Sequence, residues 1–251
     1  MILGNVKIVL CKPGEAGNIG AVCRVMKNMG LSRLRLVNPQ ISTGRGAENI
    51  GKIRIRAVHA FDIWENAEFF DTLEESVKDC SIVVGTTRRR GQYRKNISMP
   101  PRALAEWLAS LPCNGGEGGK AAIVFGNERT GLEDSDLELC NFASHIPVSE
   151  GQPSLNLSHA VQIYAYELFL ALSALSPVKG EWQPMNQSEI TALVASITDT
   201  LEGLGFYKQY GRDIQERFLH DVAARAGLSE KEGKYFKDVF VKAARLGKNM
   251  I

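Results

Sequence analysis

The sequence predicts an α/β domain with a mainly parallel sheet, followed by a small all-α unit. Three observations carry this. Val6–Leu10 and Leu34–Val37 read as short strands, and the runs Ser81–Val84 and Ala121–Phe125 are continuous, as expected for strands buried on both faces. Stretches of helical periodicity separate them, and that alternation calls for crossover connections and parallel pairing. Past Ser176 no strand pattern recurs, while helical spacing does.

Element by element, Val6–Leu10 is the first strand. Ile19, Val22, Cys23, Met26 and Met29 follow at helical spacing, with Gly30 as the stop and Asn18 where an N-cap is wanted. Leu34–Val37 is ended by Asn38-Pro39, and the polar, Gly-rich residues 40–53 run from a loop into a helix. The strand at 81–84 leads into Gly85-Thr86-Thr87. Helical patterns lie near 101–109, 132–140 and 156–172, with a flexible NGGEGG loop at 114–119 and Ile146-Pro147 as one more short strand. Ser154, Asn156, Ser158 and His159 stand at the mouth of the 156–172 helix. Ser and Asn there are expected to cap its free N–H groups. Residues 176–187, with two prolines and a glycine, read as a linker. Helices are expected at 188–204, 211–226 and 229–246, the last opened by a Ser229/Glu232 capping box. The expected units are therefore 1–175, a 176–187 linker and 188–251.

Composition narrows the function classes. The 251 residues are 44% apolar and 23% charged with a net charge of +2, which is ordinary for a globular protein. Any nucleic-acid partner must then be met by local patches. The sequence shows no signal-peptide pattern and no membrane-spanning run. Cysteines at 11, 23, 80, 113 and 140 lack CxxC spacing, and the four histidines form no HExxH. Reduced thiols, a cytoplasmic location and no metal site are the expectation.

Four stretches could carry chemistry. In PGEAGNIGAVCRVMKNMG (13–30), the glycines invite a dinucleotide-binding reading, but the spacing is GxxGxxG. No acidic residue follows the second strand to hold a ribose, which disfavours a nicotinamide-dependent dehydrogenase. Asn18 and Arg24 can both border a site at this helix start. In GTTRRRGQYRK, the cations Arg88, Arg89, Arg90, Arg94 and Lys95 surround Tyr93 directly after a strand end. Clustered cations with an aromatic suit an RNA backbone and unstacked bases; as a bare charge run they would be solvated surface. In IVFGNERTG, Gly126-Asn127-Glu128 ends a strand, and Glu128 is either catalytic or the partner of Arg129 or another arginine. The fourth stretch is IPVSEGQPSLNLSHA.

Together, NIGAVCR, IVFGNERTG and IPVSEGQPSLNLSHA resemble, in order, the three motifs of the SPOUT superfamily of methyltransferases, in the SpoU/TrmH branch that methylates RNA ribose 2′-hydroxyls. The match covers residues 5 to about 172, and the basic loop and helical extension resemble a tRNA-methylating group within that branch. The resemblance implies a trefoil knot near the end of the α/β domain. It implies S-adenosylmethionine as cofactor, touching Thr86, Thr87, Gly126, Asn127, Glu128, Ile146, Pro147, Ser154, Leu155 and Asn156. It implies catalytic roles for Asn18, Arg24, Glu128, Ser154 and Asn156: Arg24 at the reacting oxygen, Asn18 orienting it, and Glu128 holding a cationic group or the nucleotide. The implied substrate is tRNA, at a pyrimidine at position 32 of the anticodon loop, held by the 88–95 cations and the C-terminal helices of a homodimer, with no DNA or membrane partner. Ribosomal RNA is the alternative substrate, and a non-catalytic RNA-binding module the alternative class.

Overall fold

The computed structural model describes residues 3–41, 46–88, 98–111, 119–149, 151, 154–173, 183–207 and 211–248. The strands are β1 (Val6–Cys11), β2 (Arg33–Val37), β3 (Glu68–Phe70), β4 (Ile82–Thr86), β5 (Ser98–Met99), β6 (Ala121–Phe125) and β7 (Phe142–Ser144). They form one sheet in the order β3-β2-β1-β6-β4-β7-β5, parallel throughout. The chain steps outward from β1 through β2 to β3, then crosses to the other side for β4 and the strands after it. The order thus reverses beside β1 and β6, where open α/β sheets bind ligands at their carboxyl edge.

The helices are α1 (Ala16–Asn28), α2 (Ala47–Ala57), α3 (Phe61–Glu65), α4 (Leu73–Val77), α5 (Pro101–Ser110), α6 (Asp134–Glu138), α7 (Leu157–Ser173), α8 (Gln187–Glu202), α9 (Arg212–Ala226) and α10 (Glu230–Lys248). Alternation along β1 divides the core. Val6, Ile8 and Leu10 face α1, α5 and α7, while Val9 and Cys11 join Leu73, Val77 and Leu137 on the other side. Burial on both faces explains why β6, AAIVF, reads as an unbroken apolar run. Lys7, inside the first of them, is only 1% exposed and pairs with Asp79. Asp79 also binds Arg35 at 2.7 Å. Burial opposes its charge, but the hydrogen bonds from Arg35 and Lys7 outweigh that and hold its carboxyl well below the usual range.

One expectation is corrected here, and four short elements are added. Ile146-Pro147 is not a strand: the last regular strand ends at Ser144. β7 is flanked by β4 and β5, and a proline has no N–H to give such a ladder. β3 and β5, of three and two residues, and the short helices α3 and α4 carry too little pattern to stand out in sequence.

All described helices after α7 pack around a core of their own, with Ile190, Val194, Ile197, Leu219 and Ala223 at its centre. The capping box before α10 forms: Glu232 accepts from the Ser229 amide at 2.8 Å and its own amide donates to Ser229 Oγ. This unit meets the amino edge of the sheet through polar contacts. Ser81 Oγ donates to the Pro184 carbonyl at 3.1 Å, the Gln187 amide to the Cys80 carbonyl at 2.9 Å, and the Gln187 side chain to Asn141 Oδ1.

Cys11, Cys23, Cys80 and Cys140 are buried free thiols. Burial pushes Cys23 up to about 12 and Cys80 up to about 11, leaving both unreactive. Cys113 lies outside the described residues. Among the described residues no helix is long and apolar enough to cross a membrane, and no cluster of His, Cys, Asp or Glu could hold a metal.

Candidate active site

The carboxyl ends of β4, β6 and β7 open into a cavity of about 190 Å³. Its floor is apolar: Phe125, Leu132, Ile146, Leu155, Leu157 and Tyr164. Its walls carry Thr86, Thr87, Asn127, Thr130, Ser144 and Ser154. Tyr164, 1% exposed on α7, is seated edge-on against Phe125 with centroids 5.4 Å apart. Its hydroxyl donates to Ser144 Oγ at 2.8 Å, and Ser144 Oγ donates to the Met99 carbonyl at 2.6 Å. Thr86 Oγ1 donates to the Val124 carbonyl at 2.9 Å, tying the two strands whose ends form the wall. The floor is therefore rigid and fully hydrogen-bonded, which is what buried polar groups require.

Two glycines shape this wall. At Gly126 an added Cβ would sit 2.1 Å from Gly131 C and Leu132 N, so the tight 126–132 turn closes only without a side chain there. Gly131 has φ of +72°. Asn127 closes the turn between them. Its side chain donates to the Lys12 carbonyl at 2.6 Å and accepts from the Arg129 amide at 2.9 Å, while its carbonyl accepts from the Gly131 amide at 2.8 Å.

At the cavity rim a single relay links segments far apart in sequence. The Ser158 amide and hydroxyl both donate to Asn156 Oδ1, at 2.9 and 2.7 Å. Asn156 Nδ2 donates to Asn18 Oδ1 at 3.0 Å, and Asn18 Nδ2 to Glu128 Oε1 at 3.0 Å. The Gly14 amide completes it by donating to Glu128 Oε2 at 2.9 Å. A carboxylate only accepts and a backbone amide only donates, so both ends orient the two asparagine amides between them. Each asparagine keeps one further N–H for a ligand.

This geometry changes three expectations. Asn18 is not the N-cap of α1. The helix starts at Ala16 with Glu15 in the cap position, and Asn18 is its third residue, aimed across at Glu128. Ser154 does not cap α7: Asn156 alone does, through Ser158, and the exposed Ser154 hydroxyl lines the cavity without a partner among the described residues. Among the described residues Glu128 pairs with no arginine; its two oxygens accept from the Gly14 amide and Asn18 Nδ2.

Of the residues expected to touch a cofactor, Thr86, Thr87, Gly126, Asn127, Glu128, Ile146, Ser154 and Leu155 line the cavity. Pro147 and Asn156 stand outside its lining, Asn156 in the rim relay. Arg24 is exposed on α1 with no partner among the described residues. Arg88 reaches the cavity wall, while Arg89, Arg90, Arg94 and Lys95 lie outside the described residues. Sequence reasoning missed Phe125, Arg129, Ser144, Ala160 and Tyr164 as lining residues. Tyr164 reads as one more apolar position of a helix, and only the fold turns it inward.

The donor set fits a nucleoside cofactor. The apolar slot takes a flat base, hydroxyls and turn amides surround it, and Glu128, the one acid of the lining, is already engaged. Such a slot at the carboxyl edge of a parallel sheet, with a preset hydrogen-bond relay at its rim, defines a group-transfer enzyme. Residues 5–166 match the SpoU rRNA methylase family across that whole frame. The chain belongs to this family and is an S-adenosylmethionine-dependent RNA methyltransferase. It is 35% identical over 221 residues to the Pseudomonas aeruginosa tRNA (cytidine/uridine/adenosine-2′-O-)-methyltransferase TrmJ, covering 88% of this chain and 79% of that protein. To the Methanocaldococcus jannaschii tRNA (cytidine-2′-O-)-methyltransferase TrmJ it is 34% identical over 234 residues, 90% of this chain and 94% of the other. The crystal structure of TrmJ from Z. mobilis superposes with a TM-score of 0.71 at 29% identity, covering 94% of this chain and 98% of that one.

Proposed function

We propose that the chain methylates a ribose 2′-hydroxyl of tRNA, at a pyrimidine of the anticodon loop. The observation that carries this is the Ser158–Asn156–Asn18–Glu128–Gly14 relay, which brings all three motif segments to the rim of one cavity. The tRNA substrate is supported by the relatives, whose names specify tRNA 2′-O-methylation with cytidine in each. Thr86, Thr87, Gly126, Asn127, Ile146, Pro147, Ser154 and Leu155 would hold S-adenosylmethionine, which supplies an electrophilic sulfonium methyl group when bound.

The chain's own residues do the rest. Asn18 and Asn156, locked by the relay, offer one N–H each to position the ribose. Positioning of this kind lowers a barrier by roughly 7–11 kcal/mol at best. Arg24 stabilises the developing 2′-oxyanion and an adjacent phosphate. It is not the base, since a guanidinium keeps its proton in proteins; over the reaction the 2′-hydroxyl proton goes to water and S-adenosylhomocysteine is the product. Glu128 acts through Asn18 as a positioning residue, and Ser154 offers its hydroxyl to the cofactor or the 2′-oxygen. Arg88, Arg89, Arg90, Arg94 and Lys95 hold RNA backbone.

We infer the larger organisation in the same way. Residues 1–175 form the catalytic domain, 176–187 a linker and 188–251 an RNA-docking unit, where residues 207–251 carry ten Lys/Arg against six Asp/Glu. Membership of the SpoU methylase family supports a trefoil knot near the end of the α/β domain. Tyr166, Phe169 and Leu170, exposed on α7, support a homodimer through that helix. A tRNA substrate supports a cytoplasmic location. The test is transfer of a labelled methyl group to tRNA transcripts, followed by mapping of the 2′-O-methyl position. Transfer to ribosomal RNA and not to tRNA would replace the substrate, and no transfer to any RNA would overturn the reading.

A further inference from the structure

We propose that Arg56, at the end of α2, is a second phosphate-binding residue that works beside Arg24; this rests on the RNA-methylating role given above. Three observations lead there. First, α1 and α2 touch backbone to backbone. A Cβ on Gly20 would lie 2.4 Å from the Ile53 carbonyl oxygen and 2.8 Å from Arg56 Cβ, and one on Gly17 would lie 3.9 Å from Arg56 Cγ. The stem of Arg56 therefore lies along α1 at Gly17 and Gly20. Residues 17, 20 and 24 form one stripe of a helix that turns about 100° per residue. Long helical side chains lean back toward the N-terminus, so Arg24 leans along this stripe toward Arg56. Second, neither arginine has a hydrogen bond or ion pair among the described residues, and both are exposed. The neighbouring cations differ: Lys52 is paired to Glu48 at 2.7 Å, Lys27 to Asp62 at 2.7 Å, and Arg54 lies 3.7 Å over the Phe61 ring. Two exposed guanidinium groups on one face, without partners among the described residues, favour an anion that both can meet. Third, Val58 stops α2 two residues later at φ +54° and ψ −112°, a conformation a β-branched residue resists. That strained stop fixes Arg56 in the last turn of α2, against Gly17 and Gly20 of the helix that carries Asn18.

A polyanion that can meet both arginines is the RNA backbone: Arg24 takes the phosphate at the reacting ribose and Arg56 the neighbouring one. Arg56 is then a substrate-positioning residue with no part in cofactor binding. The experiment measures binding of a tRNA transcript over a salt series, with steady-state methylation, for the wild-type chain, Arg56→Met, Arg56→Ala and Arg56→Lys. Methionine keeps the apolar stem over Gly17 and Gly20 while removing the charge. The expected result for Arg56→Met and Arg56→Ala is a log–log salt slope smaller by roughly 0.7–0.9, the worth of one phosphate contact. KM for tRNA should rise several-fold, with kcat and S-adenosylmethionine affinity within about twofold of wild type. Arg56→Lys should keep most of the slope. A wild-type slope and KM in Arg56→Met would overturn the proposal. So would a fall in kcat at unchanged KM, which marks an interaction made only in the transition state and not a phosphate anchor. Should the wild-type chain bind tRNA yet methylate no RNA, the enzymatic reading fails while the salt slopes still decide whether Arg56 holds a phosphate.

Discussion

Replacing Glu128 by glutamine tests the relay most directly. The carboxylate accepts two hydrogen bonds, from Gly14 N and Asn18 Nδ2, and glutamine offers one acceptor and one donor in the same space. The Gly14 amide cannot turn. If the new amide nitrogen faces Asn18, the Asn18 amide must flip, which sets it against Asn156. If Asn156 flips in turn, it loses the Ser158 amide and hydroxyl. Wherever the mismatch settles, one bond of the relay is lost. A hydrogen bond to a charged group is worth about 1.5–3 kcal/mol, and each 1.4 kcal/mol is a factor of ten. The fraction of enzyme with both asparagines aligned should thus fall roughly 10- to 100-fold. Single-turnover methylation at saturating tRNA and cofactor should fall by the same factor, while S-adenosylmethionine affinity changes much less. The assay is rapid-quench transfer of labelled methyl, beside calorimetric cofactor titration. A Glu128→Gln enzyme that keeps more than half of the wild-type single-turnover rate refutes the relay as a positioning device.

Four further outcomes are expected. Arg24→Ala should cut single-turnover rate by about 10²–10³-fold, as for a lost oxyanion donor, with cofactor affinity intact; retention of most of the rate would make Arg24 an ordinary surface charge. Gly126→Ala should cost about 3 kcal/mol or more and abolish cofactor binding, because its Cβ meets backbone atoms at 2.1 Å; a normal urea midpoint would show that the turn can relax. Asp79→Asn should lower stability at pH 7 by about 3 kcal/mol, since Lys7 is left buried and unpaired. Asp79 has a depressed folded pKa, so its contribution is full above the unfolded value of about 3.9 and is lost as pH falls below it. The variant's urea midpoint should therefore change less than wild type's under acid titration below about pH 4, and parallel titrations would contradict this. A chain ending near Ser176 should fold and bind cofactor but methylate tRNA poorly. It should also show a lower urea midpoint, because Ser81 and the Lys78 and Cys80 carbonyls lose partners at Pro184, Gln187 and Ser188; full activity would remove the docking role of the C-terminal helices.

The sequence by itself determined the parallel α/β class, since strands buried on both faces must be apolar at every position, as Ala121–Phe125 is from end to end. It also determined the helical C-terminal part and the Ser229/Glu232 box, because local hydrogen bonds depend only on neighbours in the chain. It marked Asn18, Glu128 and Asn156 as chemistry-bearing, through three short motifs in order. Only the tertiary structure decided what those residues do to one another. Asn18 reads locally as a cap, and the side chain it binds instead comes from 110 residues away. Ser154 and Asn156 look equivalent in sequence until the first turn of α7 leaves one capping and the other facing the cavity. Lys7 in an apolar strand, Tyr164 under the cavity and Arg56 on the α1 stripe carry no local signal at all. Their partners come from distant segments that sheet order and helix packing alone bring together. A one-dimensional pattern records which way a residue faces along its own element, not what stands opposite it.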